Sequence, residues 1–297
     1  MKCPKFPVHM ETTELLKKVR KIEIKTRGLS REMFSGQYSS AFKGRGMAFT
    51  EVREYQYGDD IRSIDWNVTA RLNHPYVKVF DEERELTVML LIDVSGSNAF
   101  GAAGRIKESM ITEIAGVLAF SAISNNDKVG VIFFSSGIEK FIPPKKGTSH
   151  ILRIIRELIN FRPKDQGTDI SVALKYMRNA IKKRSVAFLL SDFNDKAFGD
   201  ALSIVNKKHD LVCIRVYDQR EKSLPQSGLM KLQDAETGQR IWVDTSSQVV
   251  RDSLREWSME QDRMIRAAFT RAGVDSVEIS TEQDFVPPLM KLFKRRS

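Results

Sequence analysis

Leu86 to Ile92 form an apolar run bounded by charge, the pattern of a strand buried on both faces. Helical spacing follows, with Ile106, Met110, Ile114, Val117, Leu118 and Ile123 recurring by threes and fours. The alternation continues, with strands predicted over 128–134, 186–190 and 211–216 and helices over 149–159, 170–181 and 197–206. Residues 137–142 read as the hairpin partner of the strand before them. A second hairpin, 229–232 with 240–243, turns near Thr237-Gly238. A long helix over 247–272, a strand over 276–279 and a helix over 284–293 complete the pattern. Buried strands alternating with amphipathic helices predict an α/β fold: a doubly wound, mostly parallel sheet flanked by helices. Ligands of such sheets sit in loops at the carboxyl ends of the strands.

The earlier residues have another texture. Residues 10–25 predict a short helix with Leu15, Leu16, Val19 and Ile22 on one face. From Gly28 to Asp65 glycine, aromatic and charged residues mix with little periodicity, and short strands are predicted over 48–55 and 76–80. The expected organisation is a helix plus a β-rich elaboration over 1–85 and the α/β domain over 86–297. Arg53, Glu54, Asp59, Asp60, Arg62, Asp65 and Arg71 alternate in sign at short spacing, which predicts a buried ion-pair lattice. The functional alternative is a binding surface in which Arg53 and Arg62 meet a partner. Tyr55, Trp66 and Tyr76 are expected to pack rather than to stack on bases.

Composition narrows the class. A chain of 297 residues, 41% hydrophobic, can bury a sizeable core. A net charge of +10 attracts nucleic acid, anionic lipid or an acidic protein surface without choosing among them. Lys140, Lys145, Lys146, Arg153, Arg156, Arg162 and Lys164 supply part of it, but no aromatic-basic recognition motif accompanies them. Cys3 and Cys213 make no disulfide framework, and His9, His74, His150 and His209 show no metal-ligand spacing. No apolar stretch is long enough for a membrane span, and the first residues lack the apolar core of a secretory signal, so a cytoplasmic location is expected.

The candidate chemistry lies in three loops. Asp93-Val94-Ser95-Gly96-Ser97 directly follows the first buried strand, where alternate residues can aim one carboxylate and two hydroxyls at a common point. Gln166-Gly167-Thr168-Asp169 opens a helix, and Ser191-Asp192 ends another buried strand. Asp93, Ser95, Ser97, Thr168 and Asp192 are therefore the candidate ligands of a hard divalent cation, Mg²⁺ or Mn²⁺. With only two carboxylates the ion keeps open positions and net positive charge, which suits an acidic side chain of a protein partner. Asp169, beside Thr168, is a candidate contact for that partner. Each loop taken alone is equally a helix cap or a turn.

These residues resemble a known site. Asp93-Val94-Ser95-Gly96-Ser97, Gly167-Thr168 with Ala173-Leu174, and Leu190-Ser191-Asp192 are similar to the metal-ion-dependent adhesion site of von Willebrand factor A domains. The resemblance covers roughly residues 86–285 and implies the same five ligands, some through water. Asn98 departs from the Met common in that family, at a position that is not a ligand. The earlier region carries Gly44-Arg45-Gly46, Phe49, Glu51-Val52-Arg53-Glu54-Tyr55, Gly58-Asp59-Asp60-Ile61-Arg62, Ile64-Asp65-Trp66, Ala70-Arg71, Val77-Lys78, Phe80 and Glu82-Glu83-Arg84. That order resembles the bacterial domain-of-unknown-function-58 family, whose members carry a von Willebrand A-like domain after it. The resemblance implies a MoxR-type AAA ATPase as partner and a role in assembling or maturing other proteins.

Two other classes compete with a non-enzymatic interaction module. A basic nucleic-acid-binding protein would show binding that weakens steeply with salt. A metal-dependent phosphohydrolase of the haloacid-dehalogenase type needs a second Asp two residues after Asp93, where this chain has Ser95, and a hydroxyl cannot serve as that acid/base.

Overall fold

A computed structural model describes residues 20, 48–81, 85–99, 107–195, 197–223, 225–233 and 239–296. The helix expected over 10–25, the Gly44-Arg45-Gly46 and Glu82-Glu83-Arg84 segments, Ile106, and the Thr237-Gly238 turn lie outside these residues or, for the helix, almost wholly so. The described residues divide into two compact units, 48–86 and 87–296.

In the first unit, β1 (Ala48–Glu54) pairs antiparallel with β2 (Tyr76–Asp81). Between them lie a 3-10 turn, Ile61–Ser63, and a short helix, α1 (Trp66–Leu72). The charges here do not form the expected buried lattice. Arg53 makes a two-pronged ion pair with Asp59 at 2.8 and 2.7 Å on a partly exposed surface, while Arg62 and Arg71 are exposed. Asp60 and Asp65 instead cap the two helical turns, accepting from backbone N–H groups of Arg62 and of Asn67 and Val68. Free N–H groups at a helix start hold a carboxylate whether or not a cation is near, and Asp65 also meets Lys78 at 3.5 Å, outside the expected set. Trp66 is also exposed, outside the packing expected for it.

The second unit holds a six-stranded sheet in the order β10-β7-β6-β3-β4-β5. Its strands are β3 (Thr87–Asp93), β4 (Lys128–Phe134), β5 (Ile138–Lys145), β6 (Val186–Ser191), β7 (Asp210–Tyr217) and β10 (Asp275–Ser280). All pairings are parallel except β4 with the edge strand β5. That antiparallel pair slips register at Gly130, where a Cβ would lie 2.8 Å from Met89 Sδ and 2.9 Å from the Pro144 nitrogen. Only glycine lets β5 approach there.

Helices cover both faces. They are α2 (Lys107–Ser124), α3 (Thr148–Asn160), α4 (Ile170–Ala180), α5 (Gly199–Lys208), the single turn α6 (Gln219–Lys222), α7 (Gln248–Ala272) and α8 (Val286–Arg296). Alternation along the strands sorts them. Met89, Leu91, Ile132, Phe134, Ala187, Leu189, Leu211 and Cys213 join one core with Leu174 and Met177 of α4, Leu202 of α5, and Ile265 and Phe269 of α7. On the other face Phe188 meets Phe293 of α8 edge-on, and α2 lies over β3, β4 and β7. The sheet is thus doubly wound, buried on both sides at its centre. A separate hairpin, β8 (Leu229–Gln233) with β9 (Arg240–Asp244), stands beside it in sequence. Among the described residues no helix is long and apolar enough to cross a membrane.

Candidate metal centre

Parallel pairing of β3 with β6 brings the loops after Asp93 and Ser191 together at the carboxyl end of the sheet. Backbone hydrogen bonds seat the neighbouring loops against them. Val94 N–H donates to Phe134 O, Gly96 N–H to Gln166 O and Asp169 N–H to Ser135 O, each at 2.9 Å. The segment that carries Thr168 therefore lies on the loop that carries Ser95 and Ser97.

Side chains then link four of the five expected ligands. Asp93 Oδ1 accepts from Ser95 N–H at 2.9 Å, and Asp93 Oδ2 accepts from Ser191 Oγ at 2.6 Å. The hydroxyls of Ser95 and Ser97 lie 3.0 Å apart, and Ser97 also hydrogen-bonds the Asp192 carboxylate. Asp192 Oδ1 accepts from Asn194 N–H at 3.1 Å. Asp93, Ser95, Ser97 and Asp192 are all buried, and Thr168 is half-buried on the adjoining loop.

The turn after β6 holds a strained backbone. Phe193 has φ of 59°, the left-handed region, at a cost on the order of 1–2 kcal/mol for a side-chain-bearing residue. Two contacts hold it there. Its N–H donates to Ser191 Oγ at 2.9 Å, and its ring packs edge-on against Phe198 and Phe269. This bend sets the direction in which Asp192 leaves the strand.

The electrostatics are unbalanced. Burial, followed by the charge of Asp192, pushes the Asp93 carboxyl well above the ordinary carboxylate range. Burial works the same way on Asp192, but the charge and hydrogen bond of Lys107 outweigh it and hold Asp192 below that range. Lys107, which pattern reading passed over, is fully buried. Its Nζ lies 2.9 Å from Asp192 Oδ2 and 2.6 Å from Glu221 Oε1. Its signal was present: Lys107 shares a helical stripe with Met110, Ile111 and Ile114, all buried, and a cation on such a stripe needs a partner. Arg215, also missed, donates from Nε to the Asp192 carbonyl at 3.1 Å and pairs with Asp262 at 2.7 Å.

Of the other expected contacts, one is engaged locally and two lie in the first unit. Asp169 caps α4, accepting from Val172 N–H at 3.0 Å. Arg53 and Arg62 belong to the first unit.

A divalent cation fits this donor set by its chemistry. The atoms offered are carboxylate and hydroxyl oxygens, hard ligands suited to Mg²⁺ or Mn²⁺. Asp93 and Asp192, both buried, repel each other, and Asp192 shares one ammonium with Glu221. No group of three His, Cys, Asp or Glu gathers among the described residues. A cation here would rest on few carboxylates, with hydroxyls, water or an incoming ligand completing its shell.

Residues 51–264 match the family described as Protein of unknown function DUF58. The chain belongs to that family. Among relatives of this DUF58 chain, the uncharacterised protein Rv1480 of Mycobacterium tuberculosis is 26% identical over 292 residues, covering 97% of this chain and 91% of the relative. The crystal structure of conserved hypothetical protein BatB from Bacteroides thetaiotaomicron superposes with a TM-score of 0.49 at 15% identity, over 71% of this chain and 98% of BatB. The SpRpn10 VWA domain superposes with a TM-score of 0.41 at 10% identity, over 71% of this chain and 95% of that domain.

Proposed function

We propose that this DUF58 chain is a metal-ion-dependent protein-interaction module with no chemistry of its own. Mg²⁺ or Mn²⁺ would be held by Asp93, Ser95, Ser97, Thr168 and Asp192, and it would bind an acidic side chain of a partner protein. The observation that carries this reading is the charge excess at the carboxyl end of the sheet. Asp93 and Asp192, both deeply buried, repel each other, and the ammonium that touches Asp192 is shared with Glu221. An enclosed negative excess costs free energy, and a divalent ion would offset it.

The bound ion would supply a positively charged point with room for one more anionic oxygen. Around it the chain's own groups do the positioning. Ser191 and Ser95 orient Asp93, Asn194 and Lys107 orient Asp192, and the strained turn at Phe193 directly follows Asp192. The Ser95 and Ser97 hydroxyls lie 3.0 Å apart between the two carboxylates, as oxygens shared by one cation would. The resemblance implies a MoxR-type AAA ATPase, or a client of one, as the partner, and assembly or maturation of other proteins as the setting.

The test is affinity capture from native cells with the full chain, in Mg²⁺ and in chelator, beside Asp93→Ala. Capture of an AAA ATPase or its client is expected only with wild type in Mg²⁺. Equal capture by both proteins, with or without chelator, would overturn the reading.

A further inference from the structure

Lys107 occupies an expensive position. Its ammonium is fully buried, where a cation without partners is costly. An apolar side chain there would extend the buried stripe of Met110, Ile111 and Ile114. The cation is held by two carboxylates, and only one of them belongs to the candidate centre. Asp192 lies at 2.9 Å and Glu221 at 2.6 Å.

Glu221 is itself held firmly. It closes a capping box with Asp218 on α6, and the next residue, Lys222, pairs with Asp262 of α7 at 2.6 Å. Lys222 also lies 3.9 Å from the centre of the Tyr217 ring. The ammonium is therefore clamped between a ligand carboxylate and a fixed counter-charge outside the ligand set.

We propose that Lys107 is a resident counter-charge that sets the centre's affinity for a divalent cation, with Glu221 as its offset. The proposal rests on the metal reading of the same centre. A positive charge touching Asp192 opposes a second cation at that carboxylate, so Lys107 weakens metal binding. Glu221 draws on the same ammonium and softens the opposition. Once the ion is bound, Lys107 leaves the centre more positive than two carboxylates alone would, which strengthens its attraction for an acidic ligand. A centre tuned in this way holds its metal loosely when empty of partner and firmly when an acidic side chain is present.

The experiment measures Mn²⁺ affinity of the full chain by titration calorimetry and by the Mn²⁺ electron paramagnetic resonance signal. Wild type, Lys107→Met and Glu221→Gln are compared, with circular dichroism as the check on folding. Lys107→Met is expected to tighten Mn²⁺ binding about ten-fold, and Glu221→Gln to weaken it about three- to ten-fold. Opposite signs are the signature, because a merely structural role for the ion-pair cluster would weaken binding in both variants. Binding that weakens or stays unchanged in Lys107→Met overturns the proposal while leaving the metal reading intact. No Mn²⁺ binding by folded wild type overturns the metal reading itself, and this proposal with it. If Lys107→Met does not fold, Lys107→Gln, which keeps a hydrogen-bond donor without the charge, takes its place: tighter binding supports the proposal, and unchanged or weaker binding overturns it.

Discussion

The two ends of the central sheet treat buried polar groups in opposite ways. At the amino end the carboxylates at two strand starts share one arginine. Arg296 bridges Asp210, at the start of β7, and Asp275, at the start of β10, while neutral His209 shares a hydrogen bond with Ser185 at 2.9 Å. At the carboxyl end Asp192 and Glu221 share one ammonium, the buried Asp93 carboxyl meets the charge of Asp192, and the turn beside them is strained. A fold can hold matched pairs for stability alone. An unmatched excess lowers stability, and it persists where another species completes it. On the proposed function, the difference separates the end that holds the sheet from the end that would bind the cation.

The strongest way to break this comparison is to remove the one ammonium. With cation chelated, Lys107→Met should lose about 3–5 kcal/mol of stability in urea unfolding, because Asp192 and Glu221 remain without compensation. Added Mn²⁺ should restore much of the loss, since a ligand of the folded state stabilises it by mass action. Unchanged unfolding in chelator would mean that the carboxyl end is not under charge stress.

The amino end has its own test, through pH. Burial first, then the charges of Lys208 and Arg184, push His209 down to about 4 from its ordinary 6.5. The unfolded chain therefore binds the proton more readily. His209 contributes stability that is full above about pH 6.5 and is lost as pH falls toward 4, up to about 3 kcal/mol. Urea midpoints of wild type and His209→Gln across that window should differ in slope, with the variant flatter. Parallel slopes would remove His209 from the account.

Much of this architecture was legible in the pattern of apolar residues. The run before Asp93 became β3, 128–134 became β4 with those limits, and the alternation that follows became the parallel sheet. These elements are legible because burial on both faces leaves no room for polar residues, so the chain itself records it. α1 was not expected, since Trp66–Leu72 has no apolar stripe, although Asp65 before it is a capping signal. The charged run of the first unit predicts a lattice only because spacing does not say whether a carboxylate faces a cation or a row of backbone N–H groups. At the candidate centre, the loops carrying Asp93, Ser95, Ser97 and Asp192 could be picked out by their places after buried strands. Glu221 and Arg215 could not, for they reach Lys107 and Asp192 only through tertiary packing. The bend at Phe193 is likewise a product of the aromatic cluster around it.

A smaller effect of opposite sign sharpens the contrast at the carboxyl end. Asp93→Asn keeps the shape of the side chain and its acceptor for Ser95 N–H but removes the charge that burial and Asp192 disfavour. In chelator at neutral pH the variant should gain about 1–2 kcal/mol in urea unfolding, with Mn²⁺ binding lost. A variant more stable than wild type yet unable to hold the ion is the behaviour of a residue kept for binding. Loss of stability would place Asp93 among the structural groups instead.

Asp169 separates the two roles within a single loop. It follows the candidate ligand Thr168, yet its carboxylate accepts from Val172 N–H and so closes the first turn of α4. If capping is its whole task, Asp169→Ala should cost about 1 kcal/mol and Asp169→Asn almost nothing, since both Asp and Asn accept that bond. Mn²⁺ affinity should then be unchanged in either variant, as measured by calorimetry on the folded chain. If Asp169 meets the partner, the stability result would be the same, but Asp169→Asn would lower capture in Mg²⁺ without altering the affinity for the ion. The pairing of those measurements, rather than either alone, tells a residue that builds the loop from one that the partner reads.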